Sequence, residues 1–157
     1  MEKSVHSYYG NRLRVRTCGV CITNEKLLMV NHSGITEGNF WAPPGGGIQL
    51  NESATDCLKR ELAEETGLTV DIKKFLFTCE LIREPLHSIE LFFLVSPTAG
   101  LIKTGNDPEP GSPSIIQDVK YMAWDEIASI PSNQIHGIFH QVDHPSKIIS
   151  LYGYFKL

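Results

Sequence analysis

The stretch from Trp41 to Leu68, WAPPGGGIQLNESATDCLKRELAEETGL, constrains the fold more than any other part of the chain. Pro43-Pro44-Gly45-Gly46-Gly47 reads as a turn, because proline lacks a backbone donor and glycine has no side chain to pack. Ser53 to Thr66 reads as a helix, closed by Gly67 in the position expected of a C′ residue. Asn51 and Ser53 both suit an N-cap, and Asp56, three residues after Ser53, approximates a capping box. Near the helix end, Glu61, Glu64 and Glu65 are related by three- and four-residue steps, so their carboxylates project from one face. Like charges at that spacing repel, and a fold that needs only a helix gains nothing from them. A divalent cation reverses the sign. Hard cations such as Mg²⁺ take oxygen ligands, and a backbone carbonyl of the glycine turn would complete the set.

At 157 residues the chain fits one domain, residues 1–157, large enough to bury a core without staples. A hydrophobic share of 41% and a charged share of 20% are those of a soluble globular protein. The net charge of −4 gives no field for nucleic acid or anionic membranes, and a small nucleotide would need a metal to screen its phosphates. No apolar run approaches a membrane span, and MEKSVHSYYG lacks a signal-peptide core, so a cytoplasmic location is expected. Cys18 and Cys21 form a CxxC within VRTCGVCI, which reads as a strand. Residues three apart on a strand point to opposite faces, so these are read as packing thiols rather than a zinc or redox pair. Cys57 and Cys79 are read the same way.

Taken in order, residues 1–10 are read as an edge strand or a dimer contact. Leu13 to Ile22 alternates as a strand with Arg14 and Arg16 on one side, and Leu27 to Val30 returns as its hairpin partner. Asn31 to Asn39 reads as a polar loop. Val70 to Glu80 reads as one or two short strands, Leu81 to His87 as a loop, and Ile89 to Val95 as a central strand. Ser96 to Pro113 reads as a long loop, Ile116 to Ala123 as a strand, and Trp124 to Ala128 as a short helix. Asn133 to Gln141 reads as a second helix and Lys147 to Leu157 as a strand that adds to a sheet edge or seals a homodimer. Arg14, Arg16 and Arg83 are the candidates for holding a substrate phosphate or carboxylate, since arginine grips such groups bidentately. Trp41 is a candidate for stacking on a base, with packing beside the proline pair as the alternative.

Gly46, five residues, Glu52, seven residues, then Arg60-Glu61-Leu62-Ala63-Glu64-Glu65-Thr66-Gly67-Leu68 resembles the full signature of the Nudix hydrolases. The resemblance implies an α/β fold, an α/β/α sandwich with a mixed β-sheet, and Mg²⁺-dependent cleavage of a phosphoanhydride, with Mn²⁺ as an alternative metal. It implies Glu64 and Glu65 as metal ligands, Glu61 as a further ligand or the base for the attacking water, and the Gly45 carbonyl facing the metal. It implies that Glu52 pairs with Arg60 to brace the turn, with Gly46 and Gly67 shaping the motif. Family members often add a later carboxylate. Glu109 is favoured here, with Asp118 and Glu90 as alternatives. The substrate lies among nucleoside triphosphates, ADP-ribose, other nucleotide sugars and similar compounds. The competing reading is a catalytically inactive domain that senses a nucleotide, but such domains usually lose box acids, and Glu61, Glu64 and Glu65 are all present.

Overall fold

The computed structural model describes residues 5–34, 38–104 and 115–157. A short helix, α1 (Val5–Tyr9), precedes strand β1 (Arg14–Thr23), where the sequence suggested an edge strand or dimer contact. β1 turns back into β2 (Lys26–Ser33) with Thr23 opposite Lys26. Asn24 and Glu25 at that turn both have positive φ, 49° and 60°, the left-handed pair that matches the twist of a two-residue hairpin. β2 runs to Ser33, so Asn31 and His32 belong to a strand rather than a loop.

β3 (Phe40–Ala42) pairs with β2, and the glycines expected to form a turn instead form a strand, β4 (Gly45–Gly47), antiparallel to β1. The reason is steric. A Cβ on Gly45 would stand 1.9 Å from the Thr17 carbonyl oxygen, so only glycine lets the two backbones approach this closely.

α2 (Ala54–Thr66) is followed by β5 (Thr69–Arg83) and β6 (Leu86–Ala99), one long antiparallel hairpin. The expected short strands and loop between Val70 and His87 are thus continuous strand to Arg83, with only a tight tip at Glu84 and Pro85. Register shifts near Val70, Lys74 and Phe77 break the alternation that a single strand would have shown. β7 (Ile115–Ala123) pairs with β2, and α3 (Trp124–Ala128) follows directly. The expected helix over Asn133–Gln141 is two 3₁₀ turns, Ser132–Gln134 and Gly137–Gln141. Ile135, bridged to Trp41, and His136 interrupt the run, and the His136 side chain caps the second turn. A third 3₁₀ segment, Pro145–Ser150, leads to β8 (Gly153–Lys156), an edge strand parallel to β5.

The strand order is β3-β2-β1-β6-β5-β8, with β4 added to β1 and β7 to β2. β1 and β6 run parallel at the centre, so the sheet is mixed. α2 covers one face, where Leu58 and Leu62 are fully buried among Cys21, Leu28, Val70 and Val95. Burying each such leucine contributes about 1.5–3 kcal/mol. Beneath α2, a Cβ on Gly19 would press on Leu62 at 3.1 Å, so the helix sits close on the strand. α3 and the C-terminal 3₁₀ segments cover the other face through Ile127, Ile138 and Ile148, against Val20, Phe77 and Phe92. Cys18 faces this second core and Cys21 the first, so the CxxC alternates across the sheet, and all four cysteines are free and buried. No helix among the described residues is long and apolar enough to cross a membrane.

Candidate active site

Local rules fix the α2 end of the site. The Ser53 hydroxyl accepts the Asp56 N–H at 3.1 Å and caps the first turn. Gly67, at φ 80°, donates its N–H to the Ala63 carbonyl at 3.0 Å and closes the last. Between these caps the helix sets Glu61 and Glu65 against β4, both buried, with Glu64 a third exposed at the rim. The Glu61 carboxyl lies against the Gly46 Cα: a Cβ there would stand 2.2 Å from Glu61 Cδ, so Gly46 makes the cradle in which that acid sits. The Gly45 N–H donates to Glu65 Oε2 at 3.0 Å.

Arg60 connects these acids. Its Nε and Nη2 donate to the two Glu52 oxygens at 2.7 and 3.0 Å, a bidentate pair. Its Nη1 donates to Glu61 Oε1 at 2.7 Å and to Glu64 Oε2 at 3.1 Å, and Nη2 also reaches the Gly47 carbonyl at 3.3 Å. The hydrogen bond from Arg60 holds the Glu52 carboxyl down at about 2. Burial pushes the Glu61 carboxyl above its ordinary value, against the pull of Arg60, and the Glu64 charge adds to the rise. A cation placed beside this carboxyl would favour its charged form.

The side chains present fit a hard divalent cation. Glu61, Glu64 and Glu65 offer carboxylate oxygens from the end of α2, the donor type that such a cation takes. Among the described residues no three acidic, histidine or cysteine side chains are drawn to a common ligand spacing. Arg60 and the Gly45 N–H hold these carboxylates instead, so binding a cation requires that they swing from those partners.

Glu61, Glu65 and Gly45 line a cleft of about 780 Å³, within the roughly 300–1,000 Å³ typical of small-molecule sites. Arg14 and Arg16 reach the cleft from β1 and Arg83 from the β5–β6 tip. The Arg14 guanidinium also lies 4.4 Å from the Tyr9 ring centroid. Trp41 is not in the cleft wall. It packs on the core with Lys120 Nζ 5.4 Å from its ring centroid, and the neighbouring Phe40 lines the cleft. Of the later acids, Glu90 lies in the cleft wall. Asp118 does not, and its Oδ1 accepts the Val119 N–H at 2.8 Å. Glu109 lies outside the described residues.

Glu90 is not a spare carboxylate. Arg16 Nη1 donates to its Oε2 at 2.7 Å and His136 Nε2 meets its Oε1 at 2.8 Å, with the Cys18 thiol 3.4 Å away. Burial alone would raise the Glu90 carboxyl, but His136 and Arg16 overcome it and hold it at about 2. His136 escaped the sequence reading. It stands alone between two 3₁₀ turns, and only the fold brings it to Glu90.

A family model described as NUDIX domain matches residues 13–141. The chain belongs to the Nudix hydrolase family. Among Nudix relatives, an ADP-ribose pyrophosphatase from Methanocaldococcus jannaschii is 26% identical over 109 residues, covering 68% of this chain and 64% of that one. An 8-oxo-dGDP phosphatase from Homo sapiens is 27% identical over 138 residues, covering 84% of this chain and 40% of that one. The chain therefore spans less than two thirds of the length of either relative. The crystal structure of a UDP-X diphosphatase matches with a TM-score of 0.68 at 17% identity, over 92% of this chain and 67% of that one, a likeness of fold.

Proposed function

We propose that this Nudix chain is a Mg²⁺-dependent pyrophosphohydrolase that cleaves a phosphoanhydride bond in a nucleoside diphosphate linked to a second group. The second group would be a further phosphate, as in a nucleoside triphosphate, or a sugar, as in ADP-ribose and other nucleotide sugars. One observation carries the reading: acids of α2 and arginines of β1 and the β5–β6 tip line the same cleft, Glu61 and Glu65 together with Arg14, Arg16 and Arg83. A relative named for ADP-ribose supports this substrate class, and one named for 8-oxo-dGDP supports a nucleotide with a phosphoanhydride.

Glu64, Glu65 and Glu61, with the Gly45 carbonyl, would hold the cation. When bound it neutralises phosphate oxygens and makes a nearby water more acidic. Glu61, whose buried carboxyl holds protons more tightly than usual, is suited to accept the proton of an attacking water. Glu109 is the other candidate for that proton. Arg60, fixed by Glu52, keeps Glu61 and Glu64 oriented until the cation takes them. Arg14 and Arg83 balance the charge of the phosphates. Retention of all three α2 acids favours turnover over the nucleotide-sensor alternative.

The test is phosphate release from a panel of nucleoside triphosphates, ADP-ribose and other nucleotide sugars, with Mg²⁺ and with EDTA. Release that needs Mg²⁺ from at least one compound is expected. No release from any of them would overturn the reading.

A further inference from the structure

Arg16 presents a contradiction that the proposed chemistry does not use. Its guanidinium has five N–H donors, yet the one side-chain bond it makes to Glu90 runs through Nη1, and its Nε is buried without a hydrogen-bond partner among the described residues. A buried donor left unpaired is costly, and the remaining exposure of the side chain, 25%, opens on the cleft. The surroundings hold the guanidinium fast. Glu90 is buried on the neighbouring strand, opposite Arg16 in the parallel β1–β6 register, and is itself fixed from its other oxygen by His136. The His136 ring is oriented in turn: its Nδ1 accepts the Ile138 N–H at 3.1 Å, which leaves Nε2 to carry the proton donated to Glu90.

The charge count determines what Arg16 can take. Glu90 already pairs with it at 2.7 Å, and the remaining Glu90 oxygen is taken by His136. A phosphate brought here would set further negative charge beside a buried carboxylate. A neutral acceptor oxygen carries no such penalty. The same part of the cleft presents the ring of Phe40, 6.4 Å from that of His136, as a wall on which a planar group can lie. Arginine's planar donors match a carbonyl oxygen in the plane of a base, whereas the exocyclic amine of adenine would meet them donor to donor.

We infer that Arg16 reads the base of the substrate through its carbonyl oxygen, with Glu90 and His136 as positioning residues, so that the cleft prefers keto-bearing bases such as guanine and uracil to adenine. The inference rests on the nucleotide reading of this cleft but not on its hydrolytic step.

Nucleoside monophosphates have no anhydride bond to cleave and share ribose and phosphate, so the ratio of their affinities reports the base. Calorimetric titration with GMP, UMP and AMP in Mg²⁺ should show the keto-bearing nucleotides binding about tenfold tighter than AMP. Arg16→Lys, which keeps the charge but loses the planar fork, should bring that ratio close to one. Arg16→Met combined with Glu90→Met, which leaves no stranded charge, should do the same. His136→Gln, which keeps a donor toward Glu90, should preserve the ratio, and His136→Leu should reduce it. Equal binding of all three nucleotides by the wild type would overturn the inference, as would variants that weaken all three alike. A flat ratio with hydrolysis intact defeats this inference alone, and an intact ratio without hydrolysis defeats the hydrolase reading alone.

Discussion

On the α2 wall of the cleft, Glu61 and Glu64 share the guanidinium of Arg60 with Glu52, and Glu65 accepts the Gly45 N–H. On the sheet wall, Glu90 alone is met by both Arg16 and His136. On the first wall three carboxylates, those of Glu52, Glu61 and Glu64, meet one guanidinium, and burial raises the Glu61 carboxyl above its ordinary value. The second is balanced, and its acid is held ionised at about 2. The contrast separates two tasks. Unanswered charge suits a site that awaits a cation, while answered charge suits one that positions a donor.

The strongest way to break this comparison is to strand the balanced acid. Arg16→Met alone leaves Glu90 buried and uncompensated and should cost about 3–5 kcal/mol in denaturant unfolding. Adding Glu90→Met should recover most of that loss. If the single and double variants are equally unstable, Glu90 is not held by charge balance. Arg60→Ala removes the partner of Glu52, Glu61 and Glu64, of which Glu52 and Glu64 are nearer solvent and Glu61 alone is buried. A loss of about 1–2 kcal/mol is expected without metal, read as a melting temperature several degrees lower. An unchanged melting temperature would show that the brace serves substrate rather than fold.

His32 sharpens the comparison by titration. Burial first, and then the Arg16 charge, lowers its imidazole from 6.5 to about 4. Between those values the unfolded chain binds a proton that the folded chain does not. Stability should therefore be fully present above pH 6.5 and fall as pH drops toward 4, with a slope of at most about 1.4 kcal/mol per pH unit. His32→Leu should flatten that slope, and an unchanged slope would assign it elsewhere. The smallest effect is expected from Glu64→Gln in EDTA, within about 0.5 kcal/mol of wild type, because the residue is part-exposed and removes a like charge from its neighbours. A larger loss would mean that its bond to Arg60 supports the fold.

The two walls also differ in how far they could be read beforehand. Everything on α2 is local: the Ser53 cap, the Gly67 stop and the spacing of Glu61, Glu64 and Glu65 follow from helix geometry. The alternation of β1 likewise set Arg14 and Arg16 on one side, and both line the cleft. The Arg16–Glu90–His136 set joins residues 74 and 46 positions apart, and no local rule pairs them. β4 was hidden for a related reason: a glycine run signals a turn, and its close approach to Thr17 is visible only with β1 beside it. In β5 the register shifts erased the period by which one long strand would be known.

The α2 acids are proposed to hold the cation needed for phosphoanhydride cleavage. The most direct test is turnover across a Mg²⁺ titration for wild type, Glu64→Gln and Glu65→Gln, using the best substrate of the panel, with melting temperatures in EDTA alongside. Each substitution should lower turnover at saturating Mg²⁺ on the order of 100-fold, the scale of losing one transition-state electrostatic contact, while the metal-free fold keeps its melting temperature. Near wild-type turnover in both variants at saturating Mg²⁺ would contradict the claim.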